Sequence, residues 1–234
     1  MRYRLIELPS IEVTNVEGRD RQAPFRTKRI ICIARNYAAH VKEMGHALAD
    51  DTPPFFFFKP LSALNTGPHF TLPGFSNDCQ HELELVVYLA RGGRNLAPDQ
   101  ARACVGGFGL GLDMTARDLQ HEAKRLGRPW DLAKGFDGSA CISKLVKAGL
   151  DELPRFGRMR LRNNDREVQS GHWQEMIWPI DRLLAHISTL IALQPGDLVY
   201  TGTPAGVTKL TDGDRLTAEM EGFPHRLTVE VRAS

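Results

Sequence analysis

The sequence predicts an α+β fold, and two observations carry that reading. Stretches of strand character outnumber helical ones, and the helices do not alternate regularly with strands as a doubly wound sheet requires. RIICIARNY (29–37) reads as a buried strand feeding a helix, with Asn36 as its N-cap and Gly45 as its stop. PPFFFFKP (53–60) reads as a short aromatic strand fenced by prolines, its phenylalanines assigned to the core. HELELVVYLA (81–90) is apolar almost throughout, which suits a strand buried on both faces. A turn at RGGRNLAPD leads into a short helix, PDQARACVGG, with Pro98 in its first turn. VGGFGLGLDM is a glycine-rich strand that backbones or ligands can approach closely. Thr115 to Asp118 fits a capping box opening the helix ARDLQHEAKRLG, which Gly127 closes. GRMRLRNNDREVQSG reads as a hairpin with Asn163 and Asn164 at its tip. A helix around 178–191, the segment PGDLVYTGTPAGV and two strands within 214–232 complete the chain.

Composition narrows the function classes. The 234 residues are 42% hydrophobic and 25% charged, as in a water-soluble globular protein. A net charge of +2 gives no footprint for nucleic acid or for an anionic membrane surface. No apolar run reaches the roughly 18 residues of a membrane span, and the mixed-charge start is unlike a signal peptide. Cys32, Cys79, Cys104 and Cys141 are scattered and form no CxxC pair, so buried free thiols and a cytoplasmic location are expected. No G-x-G-x-x-G or Walker sequence supports nucleotide binding.

The chemistry concentrates on one strand. Glu82 and Glu84 are two apart and share a face, which is either the polar face of a half-exposed strand or a pair of buried carboxylates. Buried, they repel unless a cation lies between them, and hard oxygen ligands select magnesium, manganese or calcium over zinc. Asp113, at the end of the glycine-rich strand, offers a third carboxylate, or else a turn satisfied by backbone N–H groups. Arg117, Gln120 and Lys124 share a helix face at i, i+3 and i+7. Lys124 is read as solvated, whereas Arg117 is placed to hold a carboxylate by two parallel hydrogen bonds. His40 and Glu43 meet at i, i+3, which raises the imidazole's basicity. Lys59 and Lys134 stand among apolar neighbours and suggest partly buried ammonium groups.

GLDMTARDLQHEAKRLGRPWDLAKGFD resembles a signature of the fumarylacetoacetate hydrolase family, as do HELEL, RNYAAHVKEMG, FFFKP and PGDLVYTGTPAGV. The resemblance runs from about residue 28 to 216, with the motifs in order. It is nearest to the short acylpyruvases, and PPFFFFKP and RPWDLAKGFD are most like bacterial fumarylpyruvate hydrolases of aromatic-compound breakdown. It implies a mixed β-roll or β-sandwich with peripheral helices. An N-terminal segment (1–27) would pack on one catalytic domain (28–234), usually as a homodimer. It implies Mg2+, with Mn2+ or Ca2+ as alternatives, on Glu82, Glu84 and Asp113. It implies a substrate-binding set of Arg35, Tyr37, Lys59, Arg117, Gln120 and Thr203, with Lys134 at the 2-oxo acid end. His40 and Glu43 would be the water-activating dyad on a lid. The substrate implied is a small β-diketo or α-keto acid, with no nucleic acid or membrane partner. Hydrolysis of an acylpyruvate is the leading activity. Oxaloacetate decarboxylation or keto–enol tautomerisation is the alternative, and a non-catalytic metal-stabilised binding protein is third. Ala34, Asn164 and Thr208 stand where the family commonly has glycine.

Overall fold

A computed structural model describes residues 8–45 and 53–234; the first seven residues of the expected N-terminal segment lie outside the described residues. Strands of three or more residues are β1 (Arg29–Ala34), β2 (Phe55–Lys59), β3 (His69–Thr71), β4 (Leu83–Leu89), β5 (Val105–Asp113), β6 (Ala140–Ile142), β7 (Leu145–Lys147), β8 (Met159–Asn163), β9 (Arg166–Gly171), β10 (Asp197–Tyr200), β11 (Arg215–Met220) and β12 (Leu227–Arg232). The helices are α1 (Ala38–Glu43), α2 (Pro98–Arg102), α3 (Arg117–Leu126), α4 (Asp131–Lys134) and α5 (Ile180–Leu190). The fold is α+β, as the sequence predicts.

The larger sheet runs in the order Val13–Thr14, β7, β5, β4, β10, β1, β2, with β6 and Leu64–Asn65 attached beside β5. A second sheet has the order β9, β8, β11, β12, β3. All seven residues of β4 are buried, because β5 and β10 flank it and both of its faces carry core. Leu83, Leu85, Val87 and Leu89 enter the larger core cluster, while Val86 and Tyr88 join Ile30, Cys32 and Tyr200 in the smaller one. Glu82 and Glu84 continue the Val86–Tyr88 face toward one end of the strand. The glycines of β5 serve packing: a Cβ at Gly111 would lie 2.5 Å from Tyr200 Cε1 and 2.6 Å from Val86 Cγ2.

The sheet is curled. Four strand spacings separate β5 from β2, about 19 Å if the sheet were flat. Yet Lys59 Nζ on β2 lies 2.8 Å from Asp113 Oδ1 at the end of β5. A lysine side chain cannot span that flat distance, so the strands roll around the smaller core and bring the two ends together.

Four local expectations change. Asn36 is not an N-cap; Tyr37 holds that position, without a side-chain hydrogen bond. The Asn36 amide instead accepts from Trp178 N–H at 2.8 Å and donates to the Thr201 carbonyl at 2.8 Å, tying two loops together. No capping box opens α3, whose N-cap is Ala116: Asp118 accepts from Ser76 and Asn77, and Thr115 donates to the Asp113 carbonyl. The hairpin tip falls at Asn164–Asp165, one residue on, because Asn163 pairs with Arg166 and Asn164 takes the left-handed conformation (φ 54°). The four phenylalanines are not all core: β2 is an edge strand with Phe55 and Phe58 exposed. Gly45 and Gly127 follow α1 and α3 with positive φ, as expected of helix stops. Among the described residues no helix is long and apolar enough to cross a membrane.

Candidate active site

Strand register assembles the acidic floor. Gly111 pairs with Glu84 and Leu112 with Leu83, and Asp113 N–H donates to the Glu82 carbonyl at 2.9 Å. Glu82, Glu84 and Asp113 are all buried, with one carboxylate oxygen from each within 4.8 Å of the others. The parallel partners β1 and β10 end side by side, Tyr200 opposite Cys32, so the segments after them deliver Arg35 and His40 from one and Thr203 from the other. A cavity of about 40 Å³ lies above the floor; among its lining residues are Arg35, His40, Glu82, Glu84, Arg117, Gln120, Lys124, Lys134 and Thr203. That volume is room for an ion with a few waters, which suits a site that must open to admit an organic acid.

The two glutamates meet different surroundings. Glu82 accepts from Arg117 Nη2, and from Lys134 Nζ at 2.7 Å. Burial alone pushes its carboxyl up, but Lys134 and Arg117 outweigh that and hold it well below the usual carboxylate range. Glu84 is held by the Gly202 N–H at 2.7 Å. Burial, joined by repulsion from Asp113 and Glu82, drives its pKa well above the ordinary value. Asp113 accepts from Lys134 at 2.9 Å. Its Oδ1 lies near Lys59 but outside hydrogen-bond geometry, so it remains a buried acceptor without a hydrogen bond. Lys134 also donates to Thr115 Oγ1 at 2.7 Å, and its carboxylate neighbours raise its pKa despite burial. Three oxygen donors, one under like-charge repulsion and one with an orphaned acceptor atom, fit a hard divalent cation.

The other expected residues divide. Lys59 is buried and donates to the Met114 carbonyl at 3.1 Å, to Ser139 Oγ at 2.9 Å and to the Lys134 carbonyl, so it braces the floor and does not face the cavity. Arg117 does not present a free fork: Nε donates to Gln80 at 2.9 Å, Nη1 to Gln120 Oε1 at 2.7 Å and Nη2 to Glu82. A buried guanidinium beside a buried carboxylate is consumed by it. Gln120 accepts through its oxygen, and Thr203 Oγ1 accepts from Gln169 Nε2 at 2.9 Å. Tyr37 is not brought to the cavity: it is buried in the core, its hydroxyl has no hydrogen-bond partner, and burial pushes that hydroxyl's pKa up. His40 Nδ1 lies 3.1 Å from Glu43 Oε2, while the other Glu43 oxygen accepts from Gly206 N–H at 2.9 Å. A carboxylate only accepts, so Nδ1 carries the proton of this contact, and in the neutral imidazole Nε2 is the nitrogen with the lone pair.

Sequence reading missed several residues. Lys124 is half-buried and lines the cavity, its ammonium 5.2 Å from the Trp130 ring centroid, where solvation was expected. Gln169 receives Leu83 N–H at 2.9 Å and donates to Thr203 and to the Pro204 carbonyl. His81 bridges Gln169 and Thr208 at 2.9 and 2.8 Å, so the threonine that replaces a common family glycine anchors its loop.

Residues 29–231 match the fumarylacetoacetate (FAA) hydrolase C-terminal family. The chain belongs to this family. A fumarylpyruvate hydrolase from Pseudomonas aeruginosa, solved in complex with Mn2+ and pyruvate, superposes with a TM-score of 0.89 at 34% identity, over 99% of this chain and 100% of that one. A putative fumarylpyruvate hydrolase from Burkholderia cenocepacia gives 0.87 at 41% identity, over 99% and 98%. An oxaloacetate tautomerase of Escherichia coli (strain K12) is 35% identical over 209 residues, 88% of this chain and 94% of that protein. The human mitochondrial oxaloacetate tautomerase is 37% identical over 197 residues, 84% and 88%. The family spans hydrolases, isomerases and tautomerases, and the chain is an enzyme of that group.

Proposed function

We propose that the protein hydrolyses the C–C bond of an acylpyruvate, of which fumarylpyruvate is the leading candidate, giving pyruvate and a carboxylic acid. The observation that carries the reading is the pairing of an acidic floor with a hydrogen-bonded His40–Glu43 dyad on the same cavity. Glu82, Glu84 and Asp113 would hold a divalent cation, Mg2+ in this reading; the Mn2+ of the Pseudomonas structure supports that class of ion. When bound, such a cation supplies positive charge for the 2-oxo acid end and for enolate charge that develops there.

The chain's own residues do the rest. Gln120 and Thr203 orient the 2-oxo acid end. His40 Nε2 removes a proton from water, with Glu43 fixing the tautomer and stabilising the imidazolium. The water oxygen bonds to the 4-carbonyl carbon, and the C3–C4 bond breaks with its electron pair left on C3. The Lys134 ammonium, beside Glu82 and Asp113, stabilises that charge until the proton taken up by His40 is returned to C3, giving pyruvate and leaving His40 neutral for the next turnover. The subunit would work as a homodimer in the cytoplasm, in line with aromatic-compound catabolism.

Oxaloacetate tautomerisation is the second reading, favoured by the names of relatives at 35–38% identity. It uses the same floor and needs His40 for proton transfer alone. Turnover of fumarylpyruvate and oxaloacetate side by side, with products identified by mass, separates the two. Pyruvate plus fumarate formed much faster than any change in oxaloacetate is the expected result. Rapid oxaloacetate enol–keto conversion without cleavage would overturn the hydrolase reading.

A further inference from the structure

Lys124 is absorbed by neither the floor nor the dyad. It lies on the cavity wall with its ammonium over the Trp130 ring, and Trp130 is itself held edge-on by Phe55 and Phe57. The other cavity ammonium, Lys134, and the Arg117 guanidinium are each engaged by Glu82. Among the described residues no carboxylate forms an ion pair with Lys124, and the charges that act on it most strongly are the cations Arg117, Arg35 and Lys134, ahead of Glu82. A half-buried cation facing a cavity among other cations is an anion site rather than a structural pair. Burial, then those three cations, lowers its pKa to about 8, a penalty that an arriving carboxylate would relieve.

Its position selects the kind of anion. Arg117 and Lys124 share one face of α3, two turns apart, so Lys124 stands on the wall from an anchor farther along the helix than the guanidinium that holds Glu82. We infer that Lys124, backed by Trp130, binds the distal carboxylate of an extended 2-oxo dicarboxylic acid, making it a specificity-determining residue for long diacids over monoacids. This rests on the 2-oxo acid reading of the floor, and it favours fumarylpyruvate, whose second carboxylate lies at the far end of its acyl tail.

The test uses probes that cannot be cleaved because they lack a 4-oxo group: 2-oxoheptanedioate and 2-oxoheptanoate, equal in chain length and differing in the distal carboxylate. Calorimetric titration of the Mn2+-loaded protein should give at least about ten-fold tighter binding of the diacid. In Lys124→Met, which keeps a side chain of similar length without the charge, the ratio should fall to near one with monoacid affinity unchanged; Lys124→Arg should keep most of it. Equal binding of the two acids by the wild type, or a preference that survives Lys124→Met, would overturn the inference. Acylpyruvate cleavage is scored separately. A protein that prefers the diacid but cleaves no acylpyruvate would retain the anion site and lose the hydrolase reading.

Discussion

The acidic floor and the dyad wall are built to different specifications. The floor stands at the ends of β4 and β5, two fully paired central strands, and its carboxylates are fixed by Lys59, Lys134, Arg117 and a backbone N–H. The dyad stands on α1, six residues long and without a side-chain N-cap, tied to the rest by the Glu43–Gly206 contact. A helix that short has little stability of its own. The difference teaches a division of labour: ion-binding groups gain from rigidity, whereas a cavity of about 40 Å³ must open for substrate, and the weakly held wall is the part able to move.

Five substitutions, two of them alternatives at the floor, break or sharpen that contrast. His40→Ala should lower kcat by about 10²–10⁴-fold while Mn2+ affinity, read by calorimetry, stays within about two-fold of wild type; near-normal turnover would remove the dyad from the chemistry. Lys59→Met strips the floor of a fully buried cation beside Asp113 and should destabilise the metal-free protein by about 3–5 kcal/mol in urea unfolding. Asp113→Asn or Glu84→Gln should weaken Mn2+ binding by about 100-fold or more, and unchanged affinity would show that the ion binds elsewhere. Gly111→Ala places a methyl against Tyr200 and Val86 and should cost about 1–3 kcal/mol, lowering Tm with the dyad geometry intact. The first should leave the floor's ion unaffected and the third should leave the His40–Glu43 contact unaffected; if either disturbs the other region strongly, the two are not independent.

The legibility of the sequence follows the same divide. The strand 83–89 is legible as a near-continuous apolar run and Glu82 and Glu84 as residues that share a face at i and i+2, because both signals are local; Asp113 is legible only as the end of the glycine-rich strand, and strand pairing brings it to the glutamates. What strand pairing and loop return decide was not. Gln169 and Gly202 reach the floor from segments more than 80 positions beyond Glu82, with nothing nearby in sequence to mark them. Lys124 was misread because its partner, Trp130, lies past a left-handed Gly127 that folds the chain back. Arg117 lines the cavity, but a fork free for substrate is what the sequence suggests, since no sequence signal reveals that Gln80, Gln120 and Glu82 already occupy it.

The central claim is that a water activated at His40 ends up in the released acid. Turnover of fumarylpyruvate by the Mg2+-loaded protein in 18O-labelled water, analysed by mass spectrometry, tests it directly. One 18O in the newly formed carboxylate of fumarate, lost together with turnover in His40→Ala, is the predicted result. Absence of cleavage products, alongside rapid enol–keto conversion of oxaloacetate by the same preparation, would contradict it.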